Sequence, residues 1–70
     1  MDEYKTAIKN YNKAISLNPD YKEAYRERGA WYMTNEQFDK ALPDLKKAKE
    51  LGADVDHFIE AAKFELEMED

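Results

Sequence analysis

The sequence predicts an all-α fold of four antiparallel helices, and three observations lead to it. The chain repeats itself at a shift of 34 residues: Tyr4 falls on Phe38, Ala7 on Ala41, Ile8 on Leu42, Tyr11 on Leu45, Ala14 on Ala48 and Leu17 on Leu51. A fixed period of this size marks stacked supersecondary units. Apolar residues recur at i, i+3 and i+4, the spacing that gathers them on one face of a helix. Glycine and proline number two each, and all but one of them stand where a helix must stop or pack rather than filling loops.

The first helix is expected from about Asp2 to Leu17, with a buried stripe of Tyr4, Ala7, Ile8, Tyr11, Ala14 and Ile15. Asn18-Pro19 ends it, because the residue before proline avoids helical angles. Asp20 offers an N-cap, and Glu23 can bond back to its amide as a carboxylate capping box. The second helix then runs to about Thr34 and packs through Tyr21, Tyr25, Gly29 and Tyr32, with Ala24 and Trp31 on a neighbouring flank. A turn at Thr34, Asn35 and Glu36 leads to a third helix, roughly Gln37 to Leu51, which carries Phe38, Ala41, Leu42, Leu45 and Ala48.

Gly52 is the expected left-handed stop of that helix. Pro43 lies inside it, where a lost backbone bond predicts a bend on the solvent side near Asp39 to Pro43. Asp54 or Asp56 is expected to cap the last helix, whose apolar side is Val55, Phe58, Ile59, Ala62 and Leu66. That helix ends in Glu67-Met68-Glu69-Asp70, and acids at the negative end of a helix dipole predict fraying.

Seventy residues make one small domain, 1–70, of a size that buries only about 60% of the surface its unfolded chain exposes. No cysteine is present, which excludes a disulfide scaffold and points to a reducing, cytoplasmic setting. No apolar run approaches the length of a membrane span, and the first residues lack the order of a signal peptide. The net charge of −5 argues against nucleic acid, whose binding depends on Lys and Arg neutralising phosphates. Residues 1–35 carry +1 and residues 36–70 carry −6, so the chain is electrically polar along its length.

No catalytic set emerges. Ser16 is the single serine and His57 the single histidine, on different helices, without the adjacent base and orienting group that a nucleophile needs. Asp54, Asp56, His57 and Glu60 resemble metal ligands only loosely, since capping and solvation account for them and zinc asks for three or four placed donors. No cofactor is implied. The Lys5, Lys9, Lys13 row reads as a solvated face.

At this point the residues resemble the tetratricopeptide repeat, whose pattern runs W-x2-L-G-x2-Y, then A-x3-F, then P. Residues 22–55 align as one complete repeat: Tyr25 stands at the Trp place, Gly29 and Tyr32 at the Gly and Tyr places, Ala41 and Leu45 at the A-x3-F pair, and Ala48 at a small position. Small residues there let two helix backbones approach while Tyr25, Tyr32 and Leu45 fill the space around them. Three departures stand out. Arg28 replaces the leucine, so that its stem must pack and its head reach water; Glu36 replaces the usual turn glycine; Ala53 replaces the closing proline. Tyr4, Ala7, Tyr11, Ala14 and Pro19 match the second helix of a preceding repeat. Ile59, Ala62 and Leu66 match a following first helix less well, because Lys63 sits where a small residue belongs. The resemblance thus divides the chain into a half repeat over 2–17, a complete repeat over 21–51 and a terminal or capping helix over 55–68, as a fragment of a right-handed superhelix.

The resemblance implies a non-enzymatic module that binds a protein or peptide in a groove lined by first helices. Carried over position by position, that face is Glu23, Arg26, Ala30 and Met33, followed by His57, Glu60, Phe64 and Glu67. Apolar Ala30, Met33 and Phe64 among Arg26 and several carboxylates suit an apolar peptide with a basic flank. The family's clamp for C-terminal carboxylates is not matched, because only Arg26 fits while Ala30, His57 and Ala61 replace the remaining polar and basic residues. A second expectation is self-association into a dimer or a head-to-tail assembly, through Ala7, Tyr11 and Ala14 of the first helix and Phe58, Ile59 and Leu66 of the last. The competing arrangement folds both ends onto the middle hairpin, with the last helix as a cap. The alternative from another class is an engineered or excised repeat fragment with a structural role and no ligand, which a start directly before a second helix would fit.

Overall fold

A computed structural model describes residues 2–68. Its four helices are α1 (Asp2–Leu17), α2 (Lys22–Thr34), α3 (Phe38–Glu50) and α4 (Asp56–Glu67). Each packs on its neighbour in sequence, α2 on α3 most extensively. The result is a slab of 36 × 30 × 14 Å. Helix positions agree with the periodic pattern to within a residue or two, because the apolar stripes set them. The starts of α2 and α4 do not follow the expected chemistry.

Asp20 does not cap α2. The N-cap is Tyr21, in extended backbone (φ −79°, ψ 90°) and without a side-chain cap bond. Asn18 takes over the turn: its Oδ1 accepts the Asp20 amide at 3.3 Å, its carbonyl accepts the Tyr21 amide at 3.1 Å, and the Tyr25 hydroxyl donates to the Pro19 carbonyl at 2.8 Å. An Asx-type turn at Asn18 therefore uses the Asp20 amide that the capping box would have needed. At α4 the N-cap is Val55, again without a side-chain bond. Val55 is wholly buried, so apolar burial decides where this helix begins, and Asp56 instead pairs with Lys49 at 2.7 Å.

Both turns that follow α2 and α3 close in the same way. After α2, the Glu36 amide bonds Met33 O at 3.0 Å and the Gln37 amide bonds Tyr32 O at 2.8 Å. After α3, the Gly52 amide bonds Lys49 O and the Ala53 amide bonds Ala48 O, each at 2.9 Å. These are paired Schellman closures, which need a left-handed residue just past the cap. Gly52 supplies it at φ 107°, and Glu36 supplies it at φ 58°. For a residue with a Cβ that conformation costs roughly 1–2 kcal/mol. α3 continues unbroken through Pro43, which is exposed, so the lost bond to the Asp39 carbonyl falls on the solvent side.

The core is built by α2, α3 and α4. Ala41, Leu45, Ala48, Val55 and Ile59 form its centre, with Tyr25, Tyr32, Met33, Leu42, Ala53 and Phe58 packed around it. Gly29 marks the closest approach of α2 to α3: a Cβ there would stand 2.8 Å from Leu45 Cδ2. The stripe of α1, by contrast, is half-buried throughout. Glu69 and Asp70, half of the sequence expected to fray, lie outside the described residues.

Candidate functional site

The α2 half of the expected groove is a mixed surface. Arg26 is exposed, Glu23 and Ala30 are half-buried, and Met33 packs inward against the core. Among the described residues Arg26 pairs with Glu27 alone, at 3.8 Å and with both side chains in solvent, a pair worth little in water. On α4, His57, Glu60, Phe64 and Glu67 are all exposed. Phe64 is 60% exposed and Met68, one turn on, is 67% exposed. The His57 ring lies against Phe58 at 4.2 Å between centroids, and Glu60 faces Lys63 at 4.0 Å. Among the described residues, no hydrogen bond or ion pair joins the α2 stripe to the α4 stripe. The two stripes are open surface, with Phe64 as the large apolar group that folding leaves in water.

The expected self-association surfaces are placed differently. Ile59 is 6% exposed and belongs to the core, and Phe58 packs on it. Leu66 is half-buried. The apolar side of α4 is therefore turned onto α3, as in the capping arrangement, because that is where its side chains leave water. Ala7, Tyr11 and Ala14 are half-buried, and the Tyr11 hydroxyl donates to Glu27 at 2.7 Å. That bond, then burial, raise the Tyr11 pKa above its ordinary value, with the Trp31 indole opposing them.

Arg28 does not send its head to water, contrary to the expectation for a base at a leucine place. Its Nε and Nη2 donate to the two carboxylate oxygens of Asp44, each at 2.6 Å, and its Nη1 donates to Asn12 Oδ1 at 2.7 Å. Asp44 is 6% exposed. The guanidinium also lies over the Tyr25 ring, 5.8 Å from its centroid. Asp44 is the first cause holding the Arg28 pKa above its ordinary value, against the effect of burial. Asn12, Arg28 and Asp44 thus tie α1, α2 and α3 together through a fork-to-fork pair whose geometry is specific to arginine and carboxylate. Asp44 was the missed residue, and a signal for it existed: it stands three after Ala41 and four before Ala48, on the buried side of α3. Two anomalies, a base in one stripe and an acid in the next, explain each other.

Among the described residues no three His, Asp or Glu side chains converge as a metal site, and no helix is long and apolar enough to cross a membrane.

Comparison with known proteins agrees with this picture of a helical array. A family model described as a TPR repeat matches residues 1–36, which hold α1 and α2. The chain is 38% identical over 56 residues to UDP-N-acetylglucosamine–peptide N-acetylglucosaminyltransferase of Giardia intestinalis, covering 80% of this chain and 4% of that protein. It is 43% identical over 47 residues to tetratricopeptide repeat protein 28 of Homo sapiens, covering 67% of this chain and 2% of that protein. The mouse protein of the same name is 41% identical over 47 residues. The chain thus spans a small fraction of the length of these relatives. No solved structure matches it.

Proposed function

The chain belongs to the tetratricopeptide repeat family, and from that premise we propose that it is a non-enzymatic module binding a peptide or helix of a protein partner. Tetratricopeptide repeats serve protein–protein interaction through the extended surfaces that their stacked helices create. The binding face is the pair of stripes on α2 and α4: Glu23, Arg26 and Ala30 on one, with Met33 packed beneath them against the core, and His57, Glu60, Phe64 and Glu67 on the other. The observation that carries this reading is Phe64. A large aromatic ring left 60% exposed, with Glu60 and Glu67 on its own face, suits an apolar peptide with a basic flank. Aromatic anchors of this kind carry much of the energy of protein interfaces.

Self-association through the terminal helices is the weaker reading, since Phe58 and Ile59 are already used inside the chain. A peptide array probed with the 70-residue chain tests the proposal. Peptides with an apolar centre and a lysine or arginine flank should be retained, and Phe64→Ala and Arg26→Glu should each change the pattern. An unchanged pattern in both variants would remove the groove from the account. Sedimentation across a concentration series addresses the weaker reading, which a monomer at high micromolar would end.

A further inference from the structure

A cleft lies between the first turn of α1 and the last turn of α2. It encloses about 240 Å³ and is lined by Glu3, Tyr4, Trp31, Thr34 and Asn35. Two of its walls are aromatic: the Tyr4 and Trp31 rings stand 6.4 Å apart between centroids, with their planes inclined by 52°. The Tyr4 ring is held by its hydroxyl, which donates to Gln37 Oε1 at 2.5 Å.

The charge of the cleft has one sign. Glu3 is exposed at its rim and makes no ion pair among the described residues. Thr34 and Asn35 are the C-terminal end of α2, whose Tyr32 and Met33 carbonyls accept the Gln37 and Glu36 amides; no basic residue lies in its last turn, so no side-chain cation offsets the negative end of that helix dipole. Aromatic faces, a carboxylate and a helix C-terminus all attract a cation. The cleft is smaller than the roughly 300–1,000 Å³ of sites for whole small molecules, which makes it a receptor for the head of a side chain. A single carboxylate is too little to replace the three hydrogen bonds that a primary ammonium gives up on leaving water. A quaternary ammonium has no such bonds to lose.

We infer that this cleft binds a quaternary ammonium, presented as the trimethylated side chain of a lysine in a partner peptide. Trp31 is the only tryptophan of the chain, so its fluorescence reports on the site directly. A short peptide carrying trimethyl-lysine should change the Trp31 emission saturably. It should bind at least about fivefold tighter than the same peptide with unmodified lysine or with a neutral tert-butyl isostere. Glu3→Gln, a change in solvent, should weaken it severalfold, and Tyr4→Leu should weaken it further while circular dichroism shows the helices intact. Arg26→Glu should leave it unaltered, which separates this site from the α2–α4 face. No saturable change, equal binding of the neutral isostere, or full affinity in Glu3→Gln would each overturn the inference.

Discussion

α1 and α3 carry the same small-large-small series at equivalent places, Ala7-Tyr11-Ala14 and Ala41-Leu45-Ala48, and meet different fates. The three α3 residues are 0% exposed; the three α1 residues are half-buried. α3 is covered by α2 on one side and by α4 on the other, whereas α1 packs on α2. The comparison teaches that a periodic stripe specifies which face of a helix is apolar, while the number of neighbours decides how much that face contributes. Burial of apolar area is the dominant favourable term in folding, so stability should be concentrated in α2–α4.

The largest effect should come from truncating the two central residues separately. Leu45→Ala should cost about 3–4 kcal/mol, most of the stability of a chain of this size, which is on the order of 5 kcal/mol. Tyr11→Ala should cost about 1–2 kcal/mol, since its ring is already partly in water. Urea denaturation read by circular dichroism measures both, and equal costs would break the comparison.

Next is the polar tie that spans both helices. Asp44→Ala should destabilise by about 2–3 kcal/mol, because Arg28 is left beside the core without its carboxylate. Replacing both residues by leucine should recover most of the loss, since a buried ion pair gains little over well-packed apolar groups. If the double variant is as unstable as the single one, the pair is needed for more than its charge balance.

The two Schellman turns sharpen the same point at the level of the backbone. Gly52→Ala should cost about 1 kcal/mol through its left-handed angle alone, because a Cβ there would meet the Lys22 Nζ at an ordinary contact distance of 3.8 Å. Glu36→Gly should instead stabilise by about 0.5–1 kcal/mol, relieving strain in an otherwise identical closure. Thermal melts of the pair should move in opposite directions.

The smallest effect concerns how α1 is held. The Tyr11 pKa is raised in the folded chain, first by its bond to Glu27, so its neutral form is the stabilising one. Its contribution is present in full below about pH 10 and lost as pH rises through the folded pKa. The stability difference between the native chain and Tyr11→Phe, about 0.5 kcal/mol, should vanish on alkaline titration. A difference that persists would place the effect in packing.

Much of the fold was legible because helices announce themselves by local rules. The stripes, the stop at Asn18-Pro19 and the left-handed Gly52 are readable from neighbours a few residues apart. The caps at Asp20 and Asp54 or Asp56 were misread for a physical reason: Asn18 closes a turn one step earlier, and Val55 is fixed by the core. Of the proposed binding face, the α2 and α4 stripes could be enumerated by position, but not that Met33 would turn inward while Phe64 stayed outside. The Tyr4–Trp31 cleft had no sequence signal, since its walls are 27 residues apart and come from separate helices.

The amino-acid sequence by itself determined the helices, their order and the repeat that they form, because each depends on spacing within a few turns of one chain segment. Only the tertiary structure decided that Arg28 would face Asp44 instead of water, that Ile59 would be spent on the core, and that two aromatic rings would frame an acidic cleft. Those outcomes depend on which faces meet. Side chains distant in sequence compete for the same space and the same partners, and that competition is settled only when the helices pack.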